Sequence, residues 1–423
     1  LVLLFLFPIS NSFGAMVTHV QTGTFNDGTT GTGDGIIAGI EFNKDGTKMF
    51  TSFGFDLKDP ADDYHYLNEY NLSTPYDIST KTYAGASERC ELGSGSNGVD
   101  TGNGAVVYDL EFSSDGMKIF VTSRQAVDGA DKDKVYRFDL TTAYDISTCS
   151  YVQETTNLDT AANLNESNAG DFSYGDSSDN RLQGMEINDD GTKLFLAWMG
   201  GSTRLLEFTL TTPYDLTTMT LVTTAGIDVG TNGTGNVVNP ASMRFSTNGK
   251  RIFIVSHAST PGVTQISLTN PYDTSSYTID GKLNISSLTP SNTQSRGIAF
   301  SRNGLKMYIG SDRDQNSLDQ VMEYDLVCPF NIFAGKCTSI TDNSDRTGIA
   351  EAQIELAKRT INLSTNSALN RLKWIRRNKD KQNLSNQNIK LNFSNSMLSS
   401  LETLPISSFK KISTSKNNND SNK

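Results

Sequence analysis

The residues whose types and spacing suit metal binding are acidic side chains in segments rich in Gly, Asn, Ser and Thr. They form two groups, one to three residues apart within each: Asp59, Asp62 and Asp63, then Asp128, Asp131 and Asp133. Carboxylate oxygens are the ligands that Ca²⁺ prefers in proteins, although neither group has the spacing of an EF-hand loop. We treat these six residues as candidate calcium ligands, with solvated loops as the alternative, and expect no other cofactor.

Linear motifs for nucleophilic, zinc or nucleotide chemistry do not occur in the sequence. The three histidines, His19, His65 and His257, form no HExxH or other zinc-ligand spacing. There is no G-x-S-x-G nucleophile elbow and no phosphate-binding P-loop. We therefore assign no catalytic residue, and whether acids from separate segments assemble an active site stays open.

The N-terminal residues have the pattern of an export signal. Residues 1–9 are apolar but too few to span a bilayer as a helix. Ser12 and Gly14 are small residues, placed like positions −3 and −1 of a cleavage site. We interpret residues 1–15 as the end of a secretory signal peptide, cleaved after Gly14 or Ala15, and expect the chain to be exported.

The chain contains four cysteines, and cysteines in an exported chain usually pair. Cys328 and Cys337 enclose a short segment, so we predict a disulfide between them. We predict a second disulfide between Cys90 and Cys149, because they follow neighbouring repeats of the chain and adjacent outer strands would bring them together.

The element that positions all these residues is a repeated cassette. Its first half reads Gly-Ile-Glu-Phe-Asn-Lys-Asp-Gly-Thr-Lys-Met-Phe at 39–50 and returns four times, at 109–120, 184–195, 242–253 and 297–308. Its second half contains a Pro-Tyr-Asp or related turn and occurs at 72–80, 140–148, 210–218, 268–276 and, decayed, at 326–332. An internal repeat of this kind decides the fold class.

Each cassette predicts four antiparallel strands, which we name a to d in chain order. Apolar and polar residues alternate on both sides of an Asp-Gly or Asn-Gly pair, which supplies the positive φ angles of a tight a–b hairpin. Pro75 presets the c–d turn, and Asp77 bonds to the backbone beyond it. The sequence therefore predicts an all-β, five-bladed β-propeller over residues 16–332. We expect residues 17–26 to supply strand d of blade five and close the ring, with a sixth, degenerate blade within 150–180 as the alternative.

Spacing between the repeats predicts where a ligand binds. The a–b and c–d turns have constant length, so the variation falls in the b–c and d–a loops, which emerge on the same face of the disc. Loops on a rigid scaffold usually carry function. We therefore expect a protein or glycan ligand on the b–c/d–a loop face.

The composition changes after the last cassette. We predict a disulfide-containing linker at 333–345, a basic amphipathic helix at 346–381 and a polar, disordered linker at 382–423. Residues 344–423 hold 14 Lys and Arg against 6 Asp and Glu, while the whole chain has a net charge of −11. Export and the low aromatic content of this basic segment argue against nucleic acid as a partner.

Two family resemblances follow from these motifs. The text Phe-Ser-Ser-Asp-Gly-Met-Lys-Ile-Phe-Val at 112–121 resembles the repeats of YVTN-type and TolB-like β-propellers. The order of signal peptide, repetitive β domain, helix and polar linker resembles a bacterial autotransporter passenger that lacks its C-terminal barrel. This second resemblance implies an outer-membrane barrel C-terminal to Lys423.

Three functional hypotheses result. The first is a surface-displayed or secreted binding or adhesion module, without enzymatic activity. The second is an exported hydrolase or lactonase with a metal held by loop acids at the mouth of the channel. The third is a periplasmic scaffold whose basic helix, residues 346–381, docks on a protein partner. The corresponding locations are the cell surface, the extracellular space and the periplasm.

Overall fold

A computed structural model describes residues 16–25, 36–54, 66–94, 97–99, 105–127, 130–131, 133–156, 158, 181–199, 204–222, 226–228, 240–256, 261–288, 295–311 and 319–333. Chain contacts divide the protein into two units, Leu1–Ile354 and Glu355–Lys423, and all described residues belong to the first. The predicted signal peptide, the helix at 346–381 and the linker at 382–423 lie outside the described residues and stay predictions.

Five antiparallel sheets follow one another along the chain, and they confirm the five-bladed, all-β propeller. In chain order the strands are β1 (Val17–Phe25); β2 (Ile36–Phe42), β3 (Lys48–Gly54), β4 (Tyr66–Leu72), β5 (Lys81–Tyr83) and β6 (Cys90–Glu91) in blade one; β7 (Gly93–Ser94) and β8 (Asn97–Gly98) as a separate hairpin; β9 (Ala105–Phe112), β10 (Lys118–Val127), β11 (Ala130–Asp131), β12 (Lys134–Asp139) and β13 (Ser150–Glu154) in blade two; β14 (Arg181–Ile187), β15 (Lys193–Met199), β16 (Arg204–Leu210), β17 (Met219–Leu221) and β18 (Ile227–Asp228) in blade three; β19 (Pro240–Phe245), β20 (Arg251–Ser256), β21 (Gly262–Leu268) and β22 (Tyr277–Asn284) in blade four; and β23 (Ser295–Phe300), β24 (Lys306–Ser311) and β25 (Asp319–Leu326) in blade five.

Helical structure in the described residues is limited to single 3-10 turns: Ile78–Thr80, Ala86–Glu88, Ile146–Thr148, Leu216–Thr218 and Ile285–Ser287. Those at Ile78 and Leu216 follow the repeated c–d turn, and Asp77 accepts a hydrogen bond from the Ser79 backbone N–H at 3.0 Å, as the sequence predicted. None of the helices in the described part of the chain has the length and apolar character that crossing a membrane would need.

The five a strands form the centre of the disc. β2 contacts β9, β9 contacts β14, β14 contacts β19, β19 contacts β23, and β23 contacts β2. In blade five, β1 pairs antiparallel with β25, from Val17 opposite Leu326 to Phe25 opposite Asp319. The outermost strand of that blade therefore comes from the N-terminal part of the chain.

The hydrophobic core is divided into layers between neighbouring blades. Phe50 of β3 packs with residues of blade two, including Leu110, whereas Tyr308 of β24 packs with residues of blade one, including Met49. These four side chains are fully buried. Because both faces of every blade are covered, the b strands carry apolar runs, such as Leu-Phe-Leu-Ala-Trp-Met at 194–199.

A glycine and an aromatic residue join the two turns of every blade. The hairpin glycines have φ between 66° and 72°, and the aromatic residues of the c–d turns have φ between 49° and 62°. The pairs are Gly46–Tyr76, Gly116–Tyr144, Gly191–Tyr214, Gly249–Tyr272 and Gly304–Phe330. In each pair the aromatic N–H donates to the glycine carbonyl at 2.8 or 2.9 Å. The ring lies over the glycine Cα, so only a residue without Cβ fits beneath it.

This geometry corrects two sequence expectations. In the a–b hairpin of blade one only Gly46 has positive φ, while Asp45 uses its carboxylate to accept a hydrogen bond from the Thr47 backbone N–H at 3.0 Å. The Thr47 hydroxyl donates to the same carboxylate at 2.6 Å and lowers the pKa of Asp45, and the backbone bond adds to this effect. Pro75 does not define the c–d turn, since blade two has Ala143 at that position and Tyr144 keeps the same φ.

Neighbouring blades are joined at the carbonyl of the same aromatic residue. In every case a side chain of one blade donates a hydrogen bond to the aromatic carbonyl of the next blade. The donor and acceptor pairs are Lys48–Tyr144, Arg137–Tyr214, Lys193–Tyr272, Arg251–Phe330 and Tyr308–Tyr76, at 3.1, 3.0, 2.5, 3.2 and 2.5 Å. These five bonds form a closed circle around the disc.

One junction also has a covalent link. The sulfur atoms of Cys90 in blade one and Cys149 in blade two lie 2.02 Å apart, which confirms this predicted disulfide. Cys328 is not a free thiol, but Cys337 lies outside the described residues, so their pairing stays a prediction.

The glycine–aromatic pairs predict a large cost for adding a single methyl group. In a Gly116→Ala variant the new Cβ would lie 2.3 Å from the Tyr144 ring at a φ of +72°. We expect the free energy of unfolding to fall by about 2–4 kcal/mol in denaturant titrations followed by fluorescence.

Gly85→Ala is the matched control, because Gly85 has φ +113° and its nearest atom beyond the neighbouring residues, Ser87 Oγ, is 4.0 Å away. Backbone strain alone costs about 1–3 kcal/mol there, so the loss in Gly116→Ala should exceed the loss in Gly85→Ala by the cost of the clash with the ring. Equal losses in the two variants would show that ring contact does not stabilise the turn.

Candidate functional site

The a strands bring one residue from each blade to the axis, at the position five residues before the hairpin glycine. These residues, which we call the axial ring, are Glu41, Glu111, Glu186, Arg244 and Ala299. Alternation along an isolated hairpin would turn this position toward solvent. The closed circle of a strands turns it toward the centre instead, which places three carboxyl groups around one guanidinium group.

Arg244 is almost fully buried and is held by backbone and side-chain acceptors from three other blades. Its guanidinium donates to the carbonyl groups of Ile40, Leu110, Met185 and Met243, at 3.0, 2.7, 3.3 and 2.6 Å. Such a set of acceptors fixes the plane of the guanidinium. The side chain therefore closes the centre of the disc.

Asp109 provides the main counter-charge to Arg244. Its Oδ1 lies 3.1 Å from Nη2 and its Oδ2 lies 3.3 Å from Nη1. The same fully buried carboxylate also accepts hydrogen bonds from the Leu110 and Met185 backbone N–H groups and from Ser242 Oγ. A carboxylate with this many donors is held in one orientation.

The three glutamates of the axial ring lie at increasing distances from Arg244. Glu41 Oε2 is 3.1 Å from Nε, Glu111 Oε2 is 3.6 Å from Nε, and Glu186 Oε2 is 4.0 Å from Nη1. The Oε2 atoms of Glu111 and Glu186 are buried and accept no hydrogen bond within the described structure. One cation thus faces four carboxyl groups, counting Asp109.

This imbalance changes the protonation of the ring. Burial raises the pKa of Glu111 well above its ordinary value, and the negative charges of Glu186 and Glu41 raise it further. Burial also raises the pKa of Glu186 well above its ordinary value, against the opposing effect of Arg244. Burial raises the pKa of Glu41 as well, again opposed by Arg244. Carboxyl groups with raised pKa values in a cavity are candidates for function.

A cavity of about 420 Å³ opens above the axial ring, on the face that carries the a–b hairpins and c–d turns; we call it the axial cavity. Its mouth is lined by one residue from each hairpin, two positions before the glycine: Lys44, Ser114, Asp189, Thr247 and Arg302. Its wall includes the aromatic residues Phe42, Phe112, Tyr76, Tyr144, Phe245, Phe300 and Phe330.

The tyrosines of this wall stay neutral hydrogen-bond donors at physiological pH. Burial raises the pKa of Tyr76 to about 12, and its hydroxyl donates to the Lys44 carbonyl at 3.0 Å. Burial also raises the pKa of Tyr144. The axial cavity therefore combines carboxyl groups, neutral hydroxyls and aromatic rings.

Asp133, the acid predicted to bind calcium whose side chain is described, does not line this cavity. Asp133 is fully buried and accepts a hydrogen bond from the Leu182 backbone N–H at 2.6 Å, which joins blade two to blade three. Only the backbone of Asp131 is described, and Asp59, Asp62, Asp63 and Asp128 lie outside the described residues. Their role as calcium ligands stays a prediction.

A metal centre is not evident at the axis either. Among the described residues, no group of three or more His, Cys, Asp or Glu side chains is arranged to hold a metal ion. At the axial ring the physical reason is Arg244, whose guanidinium lies among the carboxyl groups.

The sequence did contain a trace of the axial ring. When the five cassettes are aligned on their hairpin glycines, one position reads Glu, Glu, Glu, Arg, Ala. From the alternation of each hairpin alone, these residues are simply the polar positions of half-buried strands. An arginine at a position that is glutamate in three of the other four cassettes was the feature that pointed to a site.

Comparisons with solved structures find other proteins of similar architecture. A gluconolactonase from Xanthomonas campestris aligns with 68% of this chain and 81% of its own, at 12% identity and a TM-score of 0.33. An exo-β-1,3-galactanase from Phanerochaete chrysosporium aligns with 75% of this chain and 65% of its own, at 12% identity and a TM-score of 0.43. For the periplasmic gluconolactonase of Pseudomonas aeruginosa the shares are 59% and 54%, at 13% identity and a TM-score of 0.31.

These similarities are too remote to transfer an activity to this chain. No protein-family model matches it. No curated protein matches it either. The YVTN/TolB-like and autotransporter resemblances therefore stay predictions, and any functional argument depends on the axial cavity itself.

The raised pKa values predict how stability depends on pH. Above pH 4.5 the unfolded chain loses glutamate protons that the folded chain retains, so Glu111 and Glu186 make folding less favourable as the pH rises. We expect Glu111→Gln and Glu186→Gln to be more stable than the wild type at pH 7.5 and nearly equal to it at pH 4.5, in denaturant titrations.

Asp189→Asn, at the exposed mouth, is the control and should leave the pH dependence unchanged. A wild-type pH dependence in both Gln variants would contradict the proposed origin of the effect.

Removing the central cation should lower the free energy of unfolding, whereas the two Gln substitutions should raise it. Arg244→Met leaves four carboxyl groups without their counter-charge, so we expect a loss of about 3–5 kcal/mol at pH 7.5. Part of this loss should be recovered at pH 5, where the carboxyl groups take up protons. Arg302→Met, at the exposed mouth, should change the free energy of unfolding by less than about 0.5 kcal/mol. An equal loss at both pH values would contradict the charge argument.

Proposed function

We propose that this chain is an exported binding module whose axial cavity binds a segment of a glycan. The observation that carries the proposal is the composition of the axial cavity: three glutamates at the base, aromatic rings on the wall, and hydroxyl and charged groups at the mouth. Ligand sites are concave, with aromatic surface and a few convergent polar groups. A sugar ring offers hydroxyl groups to the polar residues and an apolar face to the aromatic ones.

The carboxyl groups suit hydroxyl recognition in both protonation states. An ionised carboxylate accepts hydrogen bonds only, whereas a protonated carboxyl also donates one. The raised pKa values of Glu111 and Glu186 make both forms accessible. Sugar hydroxyls are likewise donors and acceptors, so the two sets of groups are complementary.

This proposal moves the predicted binding face. The sequence favoured the b–c/d–a loops, whereas the axial cavity opens on the hairpin side of the disc. The loop face stays a prediction for a protein ligand, since most of its residues lie outside the described ones. The two faces are distinguished by the experiment below.

The disulfide bears on where binding takes place. Cys90–Cys149 indicates an oxidising, exported compartment. Display at the cell surface, with an outer-membrane barrel C-terminal to Lys423, is the location that we propose for a glycan-binding module. Periplasmic and fully secreted forms are the alternatives.

A glycoside hydrolase is the second candidate, because two carboxyl groups with raised pKa lie in one cavity. Glycosidases use one carboxyl group as the acid and another as base or nucleophile. Glu111 and Glu186 are the residues for these roles. The metal-dependent lactonase has no comparable support among the described residues.

A blocking substitution tests the proposed site. Thr247 is exposed at the mouth, so Thr247→Trp should fill the axial cavity and weaken binding of oligosaccharides at least tenfold. Oligosaccharides found on a glycan array would be titrated by calorimetry against the full chain. Val152→Trp is the control, because Val152 is 45% exposed on strand d of blade two and does not line the cavity.

Replacing residues 159–180 by a short Gly-Ser linker tests the loop face. Binding that is lost in this variant but kept in Thr247→Trp would contradict the axial site. Release of reducing sugar by the wild type, abolished in Glu111→Gln and Glu186→Gln, would establish the hydrolase instead.

A further inference from the structure

The base of the axial cavity holds more carboxyl groups than the protein has cations to pair with them. Arg244 lies 3.1 Å from both Glu41 and Asp109, and these two carboxyl groups, when ionised, already exceed its single positive charge. Glu111 and Glu186 are farther away, at 3.6 and 4.0 Å. They are the two carboxyl groups without a cation of their own.

Glu186 is the clearest sign that a group is missing. It is only 9% exposed, and its Oε2 accepts no hydrogen bond within the described structure. The Oε2 of Glu111 is buried in the same way. Buried polar atoms are nearly always hydrogen-bonded, so exceptions require an explanation. Both side chains line the axial cavity, from which a ligand would reach them.

Among ligand groups, a primary ammonium fits this pair best. It is a compact charge with three donors, so it can bond to two carboxylates at once. A neutral hydroxyl would form only uncharged hydrogen bonds with this pair in its protonated form, and an anionic group would be repelled by the ionised form. A divalent ion would need a set of ligands that the described residues do not provide.

We propose that Glu111 and Glu186 bind the free amino group of an amino sugar, at the base of the axial cavity. This inference rests on the proposed glycan-binding function and specifies its ligand class. The ammonium group donates hydrogen bonds to both carboxylates, while the sugar ring lies against the aromatic wall.

Binding of an ammonium group must release protons. Without ligand, burial holds the pKa values of Glu111 and Glu186 high. A bound cation favours the ionised carboxylates, so protons pass to the buffer. The charged groups that face the pair are Glu41 on β2, Asp109 on β9 and Arg244 on β19, with Lys44, Asp189 and Arg302 at the mouth. Affinity should therefore rise with pH above 4.5 until the amine itself loses its proton.

Two oligosaccharides that share one sugar backbone but differ in charge distinguish recognition of the ammonium group from recognition of the sugar's shape. The full chain would be titrated by calorimetry with a glucosamine tetramer and with the N-acetylglucosamine tetramer, whose amino groups are acylated and neutral. Each titration would be done at pH 5.5 in two buffers of different ionisation enthalpy. We expect the glucosamine tetramer to bind at least about tenfold more tightly and to release protons, and the acetylated tetramer to release none.

Variants assign the effect to the two glutamates. Glu111→Gln and Glu186→Gln should each weaken glucosamine-tetramer binding at least tenfold and reduce proton release, and the loss for the acetylated tetramer should be clearly smaller. Glu91→Gln, at an exposed acid on β6 that does not line the axial cavity, tests general electrostatic attraction and should leave both affinities unchanged. Thermal unfolding of each variant verifies that it is folded.

The outcomes separate this inference from the proposed function. Equal affinity for both tetramers without proton release overturns the ammonium site but leaves glycan binding intact. Loss of glucosamine binding in Glu91→Gln as large as in the Glu111→Gln and Glu186→Gln variants shows attraction by surface charge and also overturns the site. Binding of neither tetramer, by a folded protein that binds other neutral glycans, overturns the amino-sugar class alone. Binding of no glycan overturns both proposals.

Discussion

The contact between a hairpin glycine and a c–d aromatic ring is the constraint on which the rest of this propeller depends. Two adjacent backbone segments adopt positive φ, which is unfavourable for tyrosine and phenylalanine. The arrangement persists because the aromatic N–H bonds to the glycine carbonyl and the ring covers the glycine Cα. The same aromatic residue then offers its carbonyl to the preceding blade. Turn conformation and blade packing are thus one interaction, repeated five times.

Because the turns repeat so regularly, the unequal composition of the axial ring is informative. Strands, turns and blade junctions are nearly equivalent in the five blades, whereas the axial ring contains three glutamates, one arginine and one alanine. A scaffold that is stabilised by its turns and blade junctions tolerates an electrostatically unfavourable group of side chains at its centre. The raised pKa values of Glu111 and Glu186 show that the centre is unfavourable. Strain at a site that the surroundings over-determine is a common property of binding sites.

The features predicted correctly from sequence were those encoded within one cassette or by a count of cassettes. Five hairpin motifs gave five blades, and the positions of Cys90 and Cys149 after neighbouring repeats gave their disulfide. The axial ring depends on contacts between a strands separated by dozens of residues, so alternation in one hairpin assigned Glu41 to a solvent-facing position. The positive φ of Tyr144 could not be predicted from the sequence for a different reason. Proline is the familiar marker of such turns, and blade two achieves the turn without one.

The unequal composition of the axial ring also affects whether the chain forms a ring of the correct five blades. Near-identical repeats can exchange places during folding, or join with repeats of another copy of the chain, and the peripheral contacts would be satisfied in either case. Only the native set brings Arg244 into the same circle as Asp109 and the three glutamates. An assembly that omits blade four would gather four carboxyl groups with no cation. Charge at the centre therefore distinguishes a complete ring from an incomplete one, where shape alone does not.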